Sequence, residues 1–417
     1  MSSNVFDTPS LAYGLKNFGY STSEALADLI DNSIEANAKN IEIIFWEGSS
    51  EPWVAVIDDG NGMSKEELDN ALKIKKTQNL NNNNIKLSKF GFGLKTASFS
   101  QCSQLTIITK KNNQTNFKSI DSSLKFKETN MISLLKKFPF IEKKFKERCS
   151  NSGTVVIWEG LHDNLTGKNS GIKRSHAIFY EKGKNFSEHA STHFHNFLDK
   201  VNIYFNEMLI KNWDPFNDNL KNLQIFDEKK IRLGDYFINI KGYIYPKEED
   251  FENIEIYEKV SGPYGWFDSQ GIYLYREKRL LSHGGWFGLR LGGSNPWQKE
   301  TKYERCRITL HYDSQLDSYF KPNVQKTKSE IPPSIRHEVA TYCEVVRKES
   351  LQKRVRENKT IELIDETDNL LIQNEDGKFE ININHPNIET LLSKNLSLNK
   401  KEFILSQISK EIKKKDA

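Results

Sequence analysis

Four short stretches carry residue types that could handle a phosphorylated ligand. In the first, Glu24 to Ala36 (EALADLIDNSIEA), Asp28 and Asn32 stand four residues apart, on a polar helical stripe with Glu24 and Glu35. An Asn side-chain oxygen can hold Mg²⁺, and a carboxylate one turn earlier can reach the water beside the ion. In the second, a strand-like run ends in Asp58-Asp59-Gly60-Asn61-Gly62-Met63. An Asp at a strand end can accept a hydrogen bond from an exocyclic amine. Gly60 and Gly62 let the backbone pass close to a flat ligand, and Met63 offers an apolar wall. In the third, Gly91-Phe92-Gly93-Leu94-Lys95-Thr96 opens a helix. Amides at a helix N-terminus after glycines attract anions, and Lys95 adds a charge and Thr96 a hydroxyl. In the fourth, Ser152-Gly153-Thr154 opens another strand. Alone, the first two have bland readings, a solvated helix face and an Asp-Gly turn.

The surrounding elements must hold these stretches together. Leu26, Leu29, Ile30 and Ile34 give the first helix a core-facing side, and Ser21 with Glu24 makes a capping box before it. Asn40–Trp46 and Trp53–Ile57 read as adjoining strands. Ser64 with Glu67 caps a helix to about Lys75, and the Asn-rich Thr77–Asn84 that follows is expected to be mobile. Leu94–Ser100 reads as a helix and Gln104–Thr109 as a strand. Residues 111–150, rich in Lys and Asn with a helical piece at Met131–Lys137, read as a surface insertion. The Thr154–Trp158 strand follows. His189, His193 and His195 lack metal-ligand company in sequence and read as part of a packing helix leading into the strand Val201–Phe205.

After a break at Trp213-Asp214-Pro215-Phe216, strands are expected at Tyr236–Tyr245, Gly271–Tyr275 and Arg307–Tyr312. A charged helix runs from Ser334 to about Asn358, with Val339, Tyr342, Val346 and Leu351 on one face. A polar linker, a short strand at Phe379–Ile383 and two amphipathic pieces close the chain.

Composition sets outer bounds. A chain of 417 residues has room for two or three domains, and 37% hydrophobic residues support packed cores. Mean hydropathy is -0.65. No apolar run approaches a membrane span and the start lacks signal-peptide regions, so a cytoplasmic protein without a membrane role is expected. Cys102, Cys149, Cys306 and Cys343 are far apart and read as reduced buried thiols. A net charge of +4 permits nucleic-acid contact without arguing for it.

In order, the four stretches resemble the nucleotide-binding boxes of the GHKL ATPases, the superfamily of gyrase B, Hsp90-type chaperones, histidine kinases and MutL. The GFGLKTAS arrangement is most similar to MORC ATPases and their prokaryotic relatives. The likeness is strong over about residues 10–160. It implies an α+β chain: a Bergerat-type α/β sandwich ATPase domain (1–215, with a lid at about 64–95 and the insertion at about 111–150), a ribosomal S5-like transducer domain (216–345), and a helical and linker C-terminal region (346–417). It implies ATP and Mg²⁺ as ligands. Asn32 would hold the metal, Asp58 and Thr154 would read the adenine amine, and Gly91–Thr96 would hold the phosphates. A transducer lysine, Lys328 or else Lys326, would reach the γ-phosphate. Residues 1–20 read as a tail or as a strap reaching a partner subunit.

One departure bears on catalysis. Hydrolysing members usually place Glu one turn before the metal Asn, whereas this chain has Asp28, on a stem about 1.5 Å shorter. A slow ATPase is the expectation, with an ATP-binding switch as the alternative. The resemblance further implies a homodimer formed on ATP binding, engaging duplex DNA as a clamp in prokaryotic anti-phage defence, with nuclease or helicase partners. The competing class is a chaperone-like or scaffold ATPase acting on a partner protein. An N-terminal start of the boxes disfavours a histidine kinase.

Overall fold

The computed structural model describes residues 19–48, 51–72, 93–138, 140–322, 330–357, 371–373 and 379–381. Two compact units divide the chain, Met1–Ser350 and Leu351–Ala417.

The first unit begins with helix α1 (Thr22–Glu35), whose capping box is formed: Glu24 N donates to Ser21 Oγ at 3.3 Å and Ser21 N to Glu24 Oε2 at 2.7 Å. Strands β1 (Asn40–Trp46) and β2 (Trp53–Asp58) follow, then helix α2 (Lys65–Leu72), helix α3 (Gly93–Gln101), and strands β3 (Cys102–Lys111) and β4 (Gln114–Asp121). Helices α4 (Met131–Lys137) and α5 (Ile141–Arg148) precede β5 (Gly153–Leu161). After α6 (Asp163–Thr166) and the long α7 (Ile172–His193) come β6 (Asn202–Phe205) and β7 (Met208–Leu209).

These strands form one sheet in the order β4-β3-β5-β2-β1-β6-β7. Only the β1–β6 pair is parallel. Alternation along β2 explains its burial on both faces. Val54 and Val56 join the core beneath α1, α3 and α7, with Leu26, Ile30, Phe99 and Phe186. Trp53, Ala55 and Ile57 face the other side, where Leu134, Phe138, Ile141 and Phe145 of the α4–α5 region cover them. Glu42 of β1, fully buried, holds Lys144 at 2.8 Å and Arg148 at 3.3 Å, which pins α5 to that face.

Part of the stretch expected as a surface insertion therefore belongs to the body of the domain. Residues 114–121 are the edge strand β4, and α4–α5 cover one face of the sheet. Lys and Asn dominate the solvent side of these elements and hide the apolar period beneath it.

The second sheet gathers β8 (Gln224–Ile225), β9 (Lys229–Leu233), β10 (Tyr236–Ile244), β11 (Gly271–Arg276), β12 (Arg279–Ser282) and β13 (Cys306–Tyr312). Its order is β12-β11-β13-β10-β8, with β9 also on β10, and only β11–β13 is parallel. Short helices α8 (Ile254–Ser261) and α9 (Gly265–Ser269) precede β11, and α10 (Asp317–Phe320) follows β13. Helix α11 (Pro333–Glu357) lays Ile335, Val339, Cys343 and Val346 into a core with Ile240, Ile272 and Ile308. This matches the expected face of Val339 and Val346. In the second unit, β14 (Leu371–Gln373) and β15 (Phe379–Ile381) pair antiparallel.

All four cysteines are buried thiols outside any disulfide. Among the described residues no helix is long and apolar enough to cross a membrane.

Candidate functional site

Period-two alternation puts Asp58 and Thr154 on the same face of the sheet as α1. Asp58 ends β2, and Thr154 stands directly opposite it in the β2–β5 register. Asp58 is buried, and its two oxygens are already held. Oδ1 accepts from Gly60 N at 2.9 Å, and Oδ2 from Ser33 Oγ at 2.9 Å. Burial raises its carboxyl to about 6, against the lowering effect of these bonds. A carboxylate offers about four lone-pair sites, so two bonds leave it able to accept another donor.

Thr154 Oγ1 lies 3.1 Å from Thr109 Oγ1, and Thr109 also accepts from Met63 N at 2.8 Å. Thr109 thus links the second stretch to the fourth across three strands. Met63 packs against the helix-side core and lines the cavity described below.

Helix α1 presents the metal and carboxylate candidates. Asn32 is half-buried, and its side chain has no hydrogen-bond partner among the described residues. Asp28 is buried one turn earlier and accepts from the Tyr20 hydroxyl at 2.8 Å. The neighbouring Asp59 takes a different job: it caps Lys39 N and Asn40 N at 2.7 and 2.8 Å and so closes the turn into β1.

Helix α3 begins at Gly93, one residue before the expected Leu94, and runs to Gln101. A carbon added at Gly93 would sit 3.5 Å from Asp28 Oδ2, so the start of α3 lies against that carboxylate. Lys95 does not stand open. It is buried, and its Nζ donates to Ala71 O at 2.7 Å, at the end of α2, where burial lowers the ammonium's pKa. Thr96 is buried too, with Oγ1 3.3 Å from Gly93 O.

A cavity of about 240 Å³ joins these groups. Asn32, Ser33, Asp58, Gly62, Met63, Gly93, Leu94 and Thr154 line it, with Leu29, Val56, Ile107 and Val156 as apolar walls. Gly60, Lys95 and Thr96, expected to bind the ligand, are not among the lining residues. Gly91, Phe92, Lys326 and Lys328 lie outside the described residues.

The glycines are required for a reason other than ligand clearance. At Gly62 the backbone has φ +63°, and a side-chain carbon would meet Lys110 O at 1.9 Å. At Gly60 it would meet Ala36 and Asp58 Oδ1 at 2.9 Å. Both are demanded by the turn's own packing.

Sequence reading missed Ser33, Thr109 and Tyr20. A serine at the buried position next to Asn32 was a visible signal, whereas Tyr20 precedes the helix and gave none. Thr109 gave none, because its role depends on strand register.

The histidines behave as a packing element. His189 and His193 stack at 3.8 Å, His283 meets His193 edge-on at 5.2 Å, and His195 Nε2 lies 3.2 Å from the Tyr275 hydroxyl. Among the described residues no group of three or more His, Cys, Asp or Glu is arranged to hold a metal.

Residues 20–154 match the sequence model of the histidine kinase-, DNA gyrase B-, and HSP90-like ATPases. The ATPase morc-1 of Caenorhabditis elegans is 32% identical over 87 residues, which is 21% of this chain and 10% of that protein. The matched segment contains the whole cavity lining except Val156. Over residues 20–154 this chain is thus similar to the GHKL-type ATPases, and over 87 residues to a MORC ATPase.

Proposed function

We propose that this chain binds Mg-ATP in the cavity between α1 and the sheet and hydrolyses it slowly. The observation that carries this reading is the convergence on one cavity of Asp58 with Thr154, Asn32 and the N-terminus of α3. Asp58 would accept the adenine amine, and Thr154 would share that contact. The amides at the start of α3 would face the phosphates.

The residues present suit a magnesium ion. Asn32 lines the cavity with an amide oxygen that no other described group occupies, and Mg²⁺ commonly takes one or two protein oxygens beside substrate phosphates. Bound there, the ion would supply charge neutralisation at the phosphates. Asp28 would orient or deprotonate the attacking water, and Lys328 or Lys326 would sense the γ-phosphate.

We read the second sheet with α11 as the transducer, dimerisation as ATP-dependent, and the assembled dimer as a clamp on duplex DNA in anti-phage defence. The reading draws on the MORC likeness. A second reading, an ATP switch acting on a partner protein, is favoured by exposed apolar side chains at Phe140, Tyr180 and Met208 around one groove.

Turnover of ATP by wild type beside Asp28→Asn and Asp28→Glu tests the enzyme. Activity lost in Asp28→Asn supports it. A silent wild type awakened by Asp28→Glu replaces it with a nucleotide-gated switch. Retention of long duplex DNA with an ATP analogue, falling steeply with salt, separates the clamp from the protein-partner reading.

A further inference from the structure

Tyr20 stands just before the N-cap of α1, eight positions ahead of Asp28. Its ring is buried in the helix-side core, and its hydroxyl reaches along α1 to Asp28 Oδ2 at 2.8 Å. The Thr96 side chain bonds the same phenol. The backbone of Tyr20 is held by the same helix as Thr96: Gln101 Nε2, at the end of α3, donates to Tyr20 O at 3.2 Å, while Thr22 Oγ1 donates to Gln101 Oε1 at 3.0 Å. Tyr20 is thus clamped at its main chain by the last residue of α3 and at its hydroxyl by the fourth. The first residue of that helix, Gly93, lies against Asp28 and lines the cavity.

We propose that Tyr20 is the positioning residue for Asp28: its hydroxyl fixes one carboxylate oxygen and, through Thr96, ties the carboxylate to the helix whose N-terminus faces the phosphates. The proposal rests on the hydrolysis reading above and adds how a short carboxylate is held in register with the phosphate side of the cavity. An Asp in place of Glu sets the carboxylate back by about 1.5 Å, and a displacement of this order lowers rate steeply unless the geometry is fixed. A donor on the carboxylate removes rotational freedom and favours the ionised form that orients water. A phenol suits the task because it stays protonated. Burial, and then the charge of Asp28, push its pKa well above the ordinary tyrosine range.

The test uses the full chain and Tyr20→Phe, which keeps the ring in the core and removes only the hydroxyl. The expected result is a fall in kcat for ATP of at least about tenfold with KM changed by less than about twofold. The acid limb of the pH–rate profile should move to higher pH, because the ionised carboxylate has lost a donor. A folded Tyr20→Phe with unchanged kcat and unchanged pH profile overturns the proposal. So does a kcat loss matched by an equal loss of folded protein with no profile change.

If wild type itself turns over no ATP, the hydrolysis reading fails, and Tyr20 is judged by infrared titration of the Asp28 carboxylate, assigned by its loss in Asp28→Asn. A band moved to higher pH in Tyr20→Phe supports the link, and an unmoved band overturns it.

Discussion

Arg279, in β12 of the second sheet, places its Nε 3.1 Å from Oδ1 of Asp31, the residue immediately before Asn32 on α1. Both side chains are buried, and the guanidinium also donates to the carbonyls of His193 and Leu280 and lies over the Phe194 ring. The two sheets of the first unit are thereby joined at the helix that lines the cavity.

Removing one member of this pair should be costly, because it leaves the other charge buried and uncompensated. Arg279→Met is expected to lose about 3–5 kcal/mol of stability in urea unfolding. Joining it with Asp31→Leu should recover much of the loss, while an unchanged midpoint in the single variant would show that the pair is not a fixed joint.

Nucleotide affinity should depend on pH through Asp58. Its carboxyl sits at about 6, raised by burial from 3.8, and an amine donor binds the ionised form. Calorimetry should therefore show affinity weakening as pH falls below about 6. Asp58→Asn should flatten this dependence and weaken binding at pH 7.5 by about 1–3 kcal/mol. Ser33→Ala removes a bond that lowers the carboxyl's pKa, so the midpoint should move to higher pH.

Acid should weaken the fold at the histidine-rich joint. Burial lowers His283 and His311 from 6.5 to about 4, and His189, His193 and His195 in the same direction. A folded pKa below the unfolded one means that the unfolded chain binds more protons. The stability of these neutral histidines is then full above about 6.5 and is lost as pH falls towards about 4. Asp58 acts oppositely over an overlapping window, since its folded pKa is raised: its contribution is full below 3.8 and lost as pH rises through about 6. Unfolding midpoints of His283→Phe and wild type, compared at pH 7.5 and 5, isolate the histidine part. A smaller acid loss in the variant is expected.

Gly62→Ala should be destabilising by more than about 1 kcal/mol. Its φ of +63° and the Lys110 carbonyl at 1.9 Å leave no place for the methyl group. Thermal unfolding measures this directly, and a stable variant with only weakened nucleotide binding would return the glycine to a ligand-clearance role.

Local chemistry was legible in the sequence. The capping boxes at Ser21 and Ser64, the β1–β2 pair and the helix from Gly93 all follow from short-range signals, and each is formed. What escaped depends on partners far along the chain. Arg279 meets Asp31 across 248 positions, and Thr109 meets Thr154 only because β3 and β5 pair in one register. Lys95 read as a phosphate-facing charge because the sequence carries no trace of Ala71 O, the acceptor at the end of α2. The stretch 111–150 looked like surface because its apolar positions cover a sheet face that other residues build.

The Asp58–Thr154 pairing also has a kinetic meaning. Both residues belong to the ladder of a central strand, flanked by β1 and β5, so the Asp58–Thr154 end of the cavity opens only when the sheet itself comes apart. The other end is the first turn of α3, whose leading amides have no partner within the helix. Hydrogen exchange should then be slow at the Asp58–Thr154 end with or without ligand, and should change on binding chiefly in the first turn of α3. The cavity has one wall as durable as the fold and one that answers to what occupies it.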